Sequence, residues 1–532
     1  MSDDSPRRDF IRGLAAVTAV TVPVASAYGA ERVPAPQGSR TSLCSILDFG
    51  AVPDGKTLCT AAIQAAVDTC AKSGGGKVIV PAGNFLTSAI FLKSHMEVEI
   101  LAGATLLFTT DFSAVPAIQG RWEGIDRTTY AALFTGLDLE NVSITGRGVL
   151  DGQGEAWWKA FRQDRNLRRK LGLEEREPEN PPGSLLQWGR PRMINLFRCR
   201  NVRIAGISIV NAPSWNVHPV RCANVVIDGL TITAPENSPN TDGIDPDSCR
   251  NVRIANCYIS VGDDCIIIKS GYKFREDGIP CENLTITDCI FGTGHAGVGI
   301  GSETAGGVRN VAISNCVCDG TQRGLRFKTA RSRGNVVENV RASNLVMRHV
   351  GEAVVVTMFY TGGDLHKSEP VNEGTPRFRN FHFSDIFATN VKKAAVIEGL
   401  PEMPIEELSI SNFAVESAES GIACTNAIGV RFSDAVVNAA KGPMLVADTV
   451  HDLVLSGATT RKPNSGEPVV RLENVTDAVV HSCTAPEGTS TFLELKGAAN
   501  RDISLIGNRL SRAADEVGLV DGASDSAIVQ RS

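Results

Sequence analysis

The chain has 532 residues, of which 42% are hydrophobic and 21% are charged, and its formal net charge is −6 at pH 7. This composition is that of an ordinary folded protein, and the chain is long enough to bury a core. Since no block of basic residues forms a face, the charge gives no reason to expect a nucleic-acid partner.

The N-terminus has the features of an export signal. The basic stretch "RRDFIR" (7–12) precedes an apolar segment that ends in the small residues Ala25, Ser26 and Ala27. The segment is too short to span a membrane stably, and its end is typical of a cleavage site. The arginine pair resembles a twin-arginine signal. We therefore expect residues 1–30 to be removed and the mature protein to be periplasmic or extracellular, without a membrane anchor.

The first predicted element of the mature chain is a helix in "TAAIQAAVDTCAKSGGG" (60–76). Its apolar residues Ile63, Ala66, Val67 and Cys70 have helical spacing, and glycines follow them. One amphipathic helix at this place would cover the open end of a repeat structure.

Repeated phrases then dominate the chain. Each begins with asparagine and continues as short alternating strands between turn residues; the clearest copies begin at Asn141, Asn201, Asn224, Asn251, Asn283 and Asn310. No unit can bury its apolar face alone, but stacked units can. The periods are too short for propeller blades, and the leucine pattern of leucine-rich repeats is missing. We predict an all-β fold, a right-handed parallel β-helix that forms a single domain over residues 40–532.

Two further features depend on this stacking. Residues 153–192 interrupt the repeats with charged and proline-rich sequence, and we expect a partly helical excursion near the binding cleft. Among the 14 cysteines, Cys257, Cys289 and Cys316 occupy equivalent repeat positions and are predicted to form a buried column. Disulfide bridges among the other cysteines remain open.

Acidic residues recur at coil spacing. Asp242 precedes Asp264 by 22 residues, about one short coil, and Asp263 stands directly before Asp264. His295 follows Asp264 by 31 residues, and Arg326 follows His295 by another 31. Because adjacent coils lie about 4.8 Å apart, we expect these five side chains to meet on one outer wall.

Such a cluster has a definite chemistry. Repulsion between three carboxylates should raise the pKa of at least one by about one unit or more, which leaves a protonated acid beside carboxylate bases. Glycosidic bond hydrolysis requires this combination, because one group protonates the leaving oxygen while another activates water. Arg326 and Lys328, two residues apart on one strand face, would hold an anionic sugar.

Four segments in the order "NTDGID", "GDDC", "GHAG" with "IGSE", and "RFK" resemble the signature segments of the polygalacturonase family, glycoside hydrolase family 28. Other matches, such as "GVLDGQGEAWW" and "NAPSWNVHPV", extend the resemblance over roughly residues 47 to 360. The resemblance implies a right-handed parallel β-helix that hydrolyses α-1,4-linked galacturonic acid in pectin with inversion, and it implies no metal and no other cofactor. The expected partner is thus an anionic polysaccharide or an oligogalacturonide.

The resemblance also implies roles for residues. Asp263 would be the general acid, Asp242 and Asp264 would orient the attacking water, and His295 would tune the protonation of the acid. The side chains expected to contact substrate are Asn240, Arg326, Lys328, Trp215 and Tyr360.

Some departures and alternatives remain. The histidine segment reads Gly294-His295-Ala296, where the family usually has a second glycine, and Phe327 replaces the usual isoleucine. The "IGSE" segment and the excursion after Trp158 resemble exo-acting bacterial members. The alternatives are a hydrolase of rhamnogalacturonan or xylogalacturonan in the same family, a pectate lyase that uses calcium, and a non-catalytic carbohydrate-binding solenoid.

Overall fold

The structure, a computed structural model, describes residues 42–173, 183–272 and 278–531. The export signal predicted within residues 1–30 lies outside the described residues, as do residues 174–182 of the predicted excursion. No helix in the described part of the chain is both long and apolar enough to cross a membrane.

Short strands and two helices make up the N-terminal part of the described chain. In order they are β1 Ser42–Ser45, β2 Asp54–Leu58, α1 Thr60–Lys72, β3 Gly76–Val80, β4 Gly83–Thr87, β5 Ile90–Phe91, β6 Met96–Ile100, β7 Ala104–Phe108, β8 Ala117–Trp122, β9 Ile125–Tyr130, β10 Phe134–Leu137, β11 Glu140–Gly146, β12 Val149–Asp151 and α2 Gly154–Lys170. β8 and β9 form an antiparallel hairpin, whereas the other strands of this region pair in parallel.

The central coils carry the sequence segments singled out above. Their strands are β13 Ile194–Phe197, β14 Arg200–Ala205, β15 Ser208–Val210, β16 Val217–Val220, β17 Ala223–Asp228, β18 Thr231–Thr233, β19 Arg250–Ala255, β20 Tyr258–Ser260, β21 Ile266–Ile268, β22 Cys281–Thr287, β23 Ile290–Phe291, β24 Val298–Ile300, β25 Val308–Asp319, β26 Arg323–Lys328, β27 Val336–Arg348 and β28 Glu352–Thr357.

The C-terminal coils continue the pattern with longer extended runs. They are β29 Arg377–Thr389, β30 Val391–Glu398, β31 Ile405–Ser456, β32 Pro468–Glu473, β33 Thr476–His481, β34 Thr491–Lys496, β35 Arg501–Ile506, β36 Asp515–Val520 and β37 Ile528–Arg531.

Successive coils stack strand on strand in parallel, and the stack is a right-handed parallel β-helix, which confirms the predicted fold class. The repeated phrases supply one such stack. Val225 of β17 aligns with Val252 of β19, and Val252 aligns with Leu284 of β22. These side chains point inward and are buried, because alternate strand residues face opposite sides of a sheet. The core is thus a set of apolar columns along the solenoid axis.

Helix α1 covers the N-terminal end as predicted. Its residues Ile63, Ala66, Val67 and Cys70 have no solvent exposure, and all four belong to the same hydrophobic core as the first strands. Ser73 caps the helix, the predicted glycines follow it, and β3 begins at Gly76.

Cysteines form two columns inside the solenoid. All 14 are free and buried. The predicted column of Cys257, Cys289 and Cys316 is confirmed, since the residues that follow them, Tyr258, Ile290 and Val317, pair in register. The second column was not predicted; it consists of Cys199, Cys222, Cys249 and Cys281, each two residues before a repeat asparagine. Backbone N–H groups donate to its sulfurs at 3.3 to 3.4 Å.

Candidate active site

Asp242, Asp263 and Asp264 meet at one end of a parallel sheet. The bridge from Ile244 to Ile266 puts Asp242 one coil from Asp264, as the spacing predicted. One carboxylate oxygen of each aspartate lies within 4.8 Å of those of the other two. A Cβ at Gly262 would clash with the carbonyl oxygen of Ser238, so only glycine allows the turn that precedes the pair.

The register beyond this point differs from the prediction. His295 aligns with Asp263 rather than Asp264, because the His295 N–H donates to the Asp263 carbonyl at 2.9 Å. Arg326 does not align with His295; it pairs with Gly299, since this coil is shorter than the predicted 31 residues. Arg326 still reaches the site because its side chain is long, and Nη1 lies 4.0 Å from Asp264 Oδ1.

The Asp263 carboxylate is held from both sides. Its Oδ1 lies 2.9 Å from His295 Nδ1 and accepts a bond from the Asp264 N–H at 2.9 Å. The Asn240 amide donates to Oδ2 at 3.5 Å. Burial alone would raise the pKa of Asp263, but the hydrogen bond and positive charge of His295, with the charge of Lys328, bring it below its ordinary value. The hydrogen bond to Asp263 in turn raises the pKa of His295.

Arg190, which sequence reasoning missed, fixes the orientation of Asn240. The Arg190 guanidinium is buried and donates to Asn240 Oδ1 at 2.6 Å and to the Pro213 carbonyl at 2.9 Å. Because a guanidinium only donates, the amide oxygen of Asn240 faces Arg190 and its NH2 faces Asp263. Burial lowers the pKa of Arg190 to about 9, so it stays charged at neutral pH.

Asp264 is paired with the two predicted cations. Lys328 Nζ donates to Asp264 Oδ2 at 2.7 Å, and Lys328 is 5% exposed. The side chains of β26 alternate as predicted, with Phe327 in the core and its neighbours Arg326 and Lys328 on the other face. Lys328 and Arg326 lie 5.2 and 5.6 Å from the ring centre of Tyr360. Tyr360 thus stands at the site, as predicted.

A second layer of charge lies under Asp242. Lys269 Nζ lies 2.8 Å from Asp245 Oδ1 and 3.4 Å from Asp242 Oδ2. Burial, followed by repulsion from Asp263, raises the pKa of Asp242 well above its ordinary value. Burial also raises the pKa of Asp245, to about 6, although Lys269 opposes the shift. The prediction of a raised carboxylate pKa named repulsion as its cause, whereas the main cause here is burial.

Trp215 does not face the cleft, and its predicted contact with substrate is corrected. The residue is 3% exposed. Its ring stacks on Trp122 at 4.5 Å, and Lys269 Nζ lies 3.6 Å from its centre. Trp122 is only partly buried and lines the cleft, so of the two stacked indoles Trp122 is the one available to a sugar. Nothing in the repeat pattern indicates Trp122, because it lies in a hairpin outside the repeats.

A cavity of about 790 Å³ opens beside Asp263 and His295. Its far walls are the hairpin β8–β9 and one face of α2, which contributes Phe161 among other residues. Arg190 lies 3.8 Å above the Phe161 ring, so the helix is anchored directly to the site. The excursion after Gln153 therefore does border the cleft in its described part.

Three carboxylate oxygens this close together are a donor set that a hard cation would accept. Protein cations contact two of these carboxylates, since Lys328 contacts Asp264 and Lys269 contacts Asp242.

Comparisons with known proteins place this site in a family. The sequence profile of Glycosyl hydrolases family 28 matches residues 181–437. A probable polygalacturonase of Vitis vinifera is 36% identical over 392 residues, which cover 71% of this chain and 75% of that protein. This chain belongs to glycosyl hydrolase family 28. An endo-polygalacturonase of Pectobacterium carotovorum subsp. carotovorum is 30% identical over 74% of this chain and 92% of that protein.

A solved structure supports the same family assignment. The exopolygalacturonase of Thermotoga maritima superposes with a TM-score of 0.62 at 34% identity, and the match covers 72% of this chain and 88% of that chain. The resemblance predicted from the four segments is confirmed. As a member of family 28 the protein is a glycosidase, and neither a pectate lyase nor a non-catalytic solenoid is favoured.

Proposed function

We propose that this protein is an exported polygalacturonase that hydrolyses α-1,4-galacturonosyl linkages of pectin with inversion and acts from the chain end. The observation that carries the proposal is the position of Asp263, which His295 and Asn240 hold beside Asp242 and Asp264. The names of the two relatives and of the solved structure, all polygalacturonases or exopolygalacturonases, support this substrate.

Asp263 is the general acid of the proposed reaction. Its Oδ1 is engaged by His295 and the Asp264 N–H, so Oδ2, with one long bond to Asn240, is the oxygen free to protonate the leaving group. In the free protein the proton shared with His295 resides mainly on the imidazole. A bound sugar excludes water from the pair, which favours its neutral form, with the proton on Asp263.

Asp242 and Asp264 hold the attacking water. Among the described residues, no donor lies within hydrogen-bond distance of Asp242 Oδ1 or Asp264 Oδ1. Two hydrogen bonds of about 2.8 Å at a tetrahedral water span about 4.5 Å, which is compatible with carboxylate oxygens within 4.8 Å. The two carboxylates therefore suit one shared water, held by one oxygen of each.

Inversion follows if this water is the nucleophile. Inverting carboxylate pairs are typically about 6.5–9.5 Å apart and retaining pairs about 5–5.5 Å, so the closeness of the oxygens here, within 4.8 Å, does not by itself favour inversion. What favours it is the water proposed to lie between Asp242 and Asp264, because a water held by two carboxylates can attack the anomeric carbon directly, without a glycosyl-enzyme intermediate. The anomer first released in hydrolysis, read by proton NMR, tests this step: the α-linked substrate should give the β-anomer.

Arg326 is the group that binds the substrate carboxylate in this proposal. Lys328 is buried and committed to Asp264, whereas the Arg326 side chain is 17% exposed and 4.0 Å from Asp264. Tyr360 lies beside both cations and offers a ring to the same sugar. Lys328 thus serves the water-binding carboxylate more directly than it serves the substrate.

The walls of the cavity support exo action. Hairpin β8–β9 and helix α2 border it on the side of the N-terminal coils, where a groove for a long chain would have to continue. A chain end fits such a cavity, whereas the middle of a chain must pass through it. The relatives carry both endo and exo names, so the walls of the cavity are the stronger argument.

The decisive experiment is a time course with polygalacturonic acid, with the products separated by length. Exo action predicts one short product from the first minutes, and a ladder of oligomers would show endo action instead. Rhamnogalacturonan and xylogalacturonan are tested in parallel. If reducing ends are released faster from either of them than from polygalacturonic acid, that polysaccharide is the substrate instead. Release of an unsaturated product that absorbs in the near ultraviolet would contradict hydrolysis altogether.

Export stays a prediction from the N-terminal sequence. It is tested by expressing the full chain in a bacterium and fractionating the cells. The variant with Arg7 and Arg8 both replaced by lysine should stay in the cytoplasm if the arginine pair is the signal.

A further inference from the structure

Lys269 is a buried cation that the proposed reaction has not yet used. It directly follows the apolar strand β21 and is 4% exposed. Taking an ammonium group out of water costs several kcal/mol unless a carboxylate compensates it. Lys269 Nζ has two such partners, Asp245 Oδ1 at 2.8 Å and Asp242 Oδ2 at 3.4 Å.

The indole of Trp215 covers this ammonium group. Nζ lies 3.6 Å from the ring centre, and the ring itself is stacked on Trp122 and buried. An ammonium that is shielded from water by an aromatic face keeps strong interactions with its carboxylates, because the local dielectric constant is low. Lys269 therefore has one fixed position between Asp245, Asp242 and the ring.

The single positive charge of Lys269 is shared by the buried carboxylates of Asp242 and Asp245. It balances only one of them fully, so the charge on Asp242 depends on how closely Lys269 is held by Asp245. The other charged groups that act on Asp242 or Lys269 are Asp263, Asp264, Arg190 and Glu303. Among the described residues of this group, only Lys269 forms ion pairs with both Asp242 and Asp245.

We propose that Lys269 is a positioning residue for hydrolysis: it orients Asp242 and, by dividing its charge between Asp245 and Asp242, sets how readily Asp242 takes a proton from the attacking water. The inference rests on the proposed function, in which Asp242 is one of the two water-holding carboxylates. The raised pKa values of Asp242 and Asp245 agree with two acids that share one cation.

Two substitutions with opposite expected signs test the proposal. Lys269→Met removes the cation, so Asp242 ionises at higher pH, and the acid limb of kcat/KM should move up by about one pH unit or more. Asp245→Asn removes the competing carboxylate and leaves Lys269 to Asp242, so the acid limb should move down. If Lys269 and Asp245 had only a structural role, each variant would have a lower thermal unfolding midpoint, and its acid limb would stay at the wild-type pH.

Arg121→Met is the matched control. Arg121 forms a buried ion pair with Asp247 at 2.8 Å, and Asp247 is two residues from Asp245, but Asp247 is not among the main charges that shift the pKa of Asp242. The variant should lose stability without a shift of the acid limb. If Lys269→Met does not fold, Asp245→Asn decides alone, because it removes no cation.

The outcomes separate the two proposals. If the wild-type protein releases no reducing ends from polygalacturonic acid, the proposed function fails and this inference fails with it. If the wild-type protein is active but neither acid limb moves, or both move in the same direction, the role of Lys269 is overturned and the proposed function stands.

Discussion

Two sets of polar side chains are stacked along this solenoid, and they differ in whether the members of a set can hydrogen-bond to one another. In the first, an asparagine of each coil donates its amide to the oxygen of the previous one at 2.6 to 3.1 Å; its members are Asn141, Asn201, Asn224, Asn251, Asn283, Asn310, Asn339 and Asn380. In the second, Asp242 stacks beside Asp264.

The asparagine column is self-sufficient because an amide both donates and accepts. A carboxylate only accepts, so stacking Asp242 on Asp264 brings like charges together with no bond between them. The structure supplies Lys328 to Asp264 and Lys269 to Asp242 from the same sheet. The repeated residues thus form the outer face of the β-helix, and residues that depart from the repeat form the candidate active site on that face.

Asp263→Asn should have the largest effect on the acidic set. It keeps the shape of the side chain and an oxygen for His295 and the Asp264 N–H, but it removes the acid and the acceptor for the Asn240 amide, so turnover on polygalacturonic acid should fall at least about 100-fold. The thermal unfolding midpoint should stay close to that of the wild type. Asp228→Asn, on the exposed wall that holds Asn256, is the control and should keep its activity. An Asp263→Asn variant with most of its activity would overturn the assignment of the acid.

Lys328→Met should have the next largest effect. It leaves the buried Asp264 without its closest ion-pair partner, so the carboxylate is no longer held in place to bind water; we expect a loss of about tenfold in kcat/KM and a lower unfolding midpoint. Lys77→Met is matched to it, since Lys77 pairs with Glu99 at 2.9 Å on an outer wall, and should change activity little. Equal losses in the two variants would show that the charge pairing at the site is not special.

Much of the stacking of the coils could be predicted from the sequence, because the repeat is visible in the sequence. The asparagine phrases predict the stacking, and the 22-residue step predicts the contact of Asp242 with Asp264. The second cysteine column was equally visible, since Cys199, Cys222 and Cys249 each stand two residues before a repeat asparagine.

The rest of the site depends on loops whose paths have no period. The Arg326 register was wrong because one coil is shorter than the spacing suggested, and the bond of Arg190 to Asn240 joins residues 50 apart through an excursion. Lys269 did leave a signal that was overlooked. A lysine at the end of the apolar run "CIIIK" must find a buried partner or disrupt the strand.

The smallest expected effect tests the self-sufficient column. Asn283 lies in its interior, with a left-handed backbone (φ 61°), and bonds to Asn251 and Asn310. Asn283→Gly keeps the backbone relaxed and removes both bonds, so the free energy of unfolding should fall by about 1–2 kcal/mol with activity unchanged. Asn283→Ala adds the strain of a Cβ in that backbone and should cost about 1 kcal/mol more. Thermal and denaturant unfolding of the two variants measure the difference, and wild-type stability in both would mean that the amide column contributes nothing that solvent does not supply.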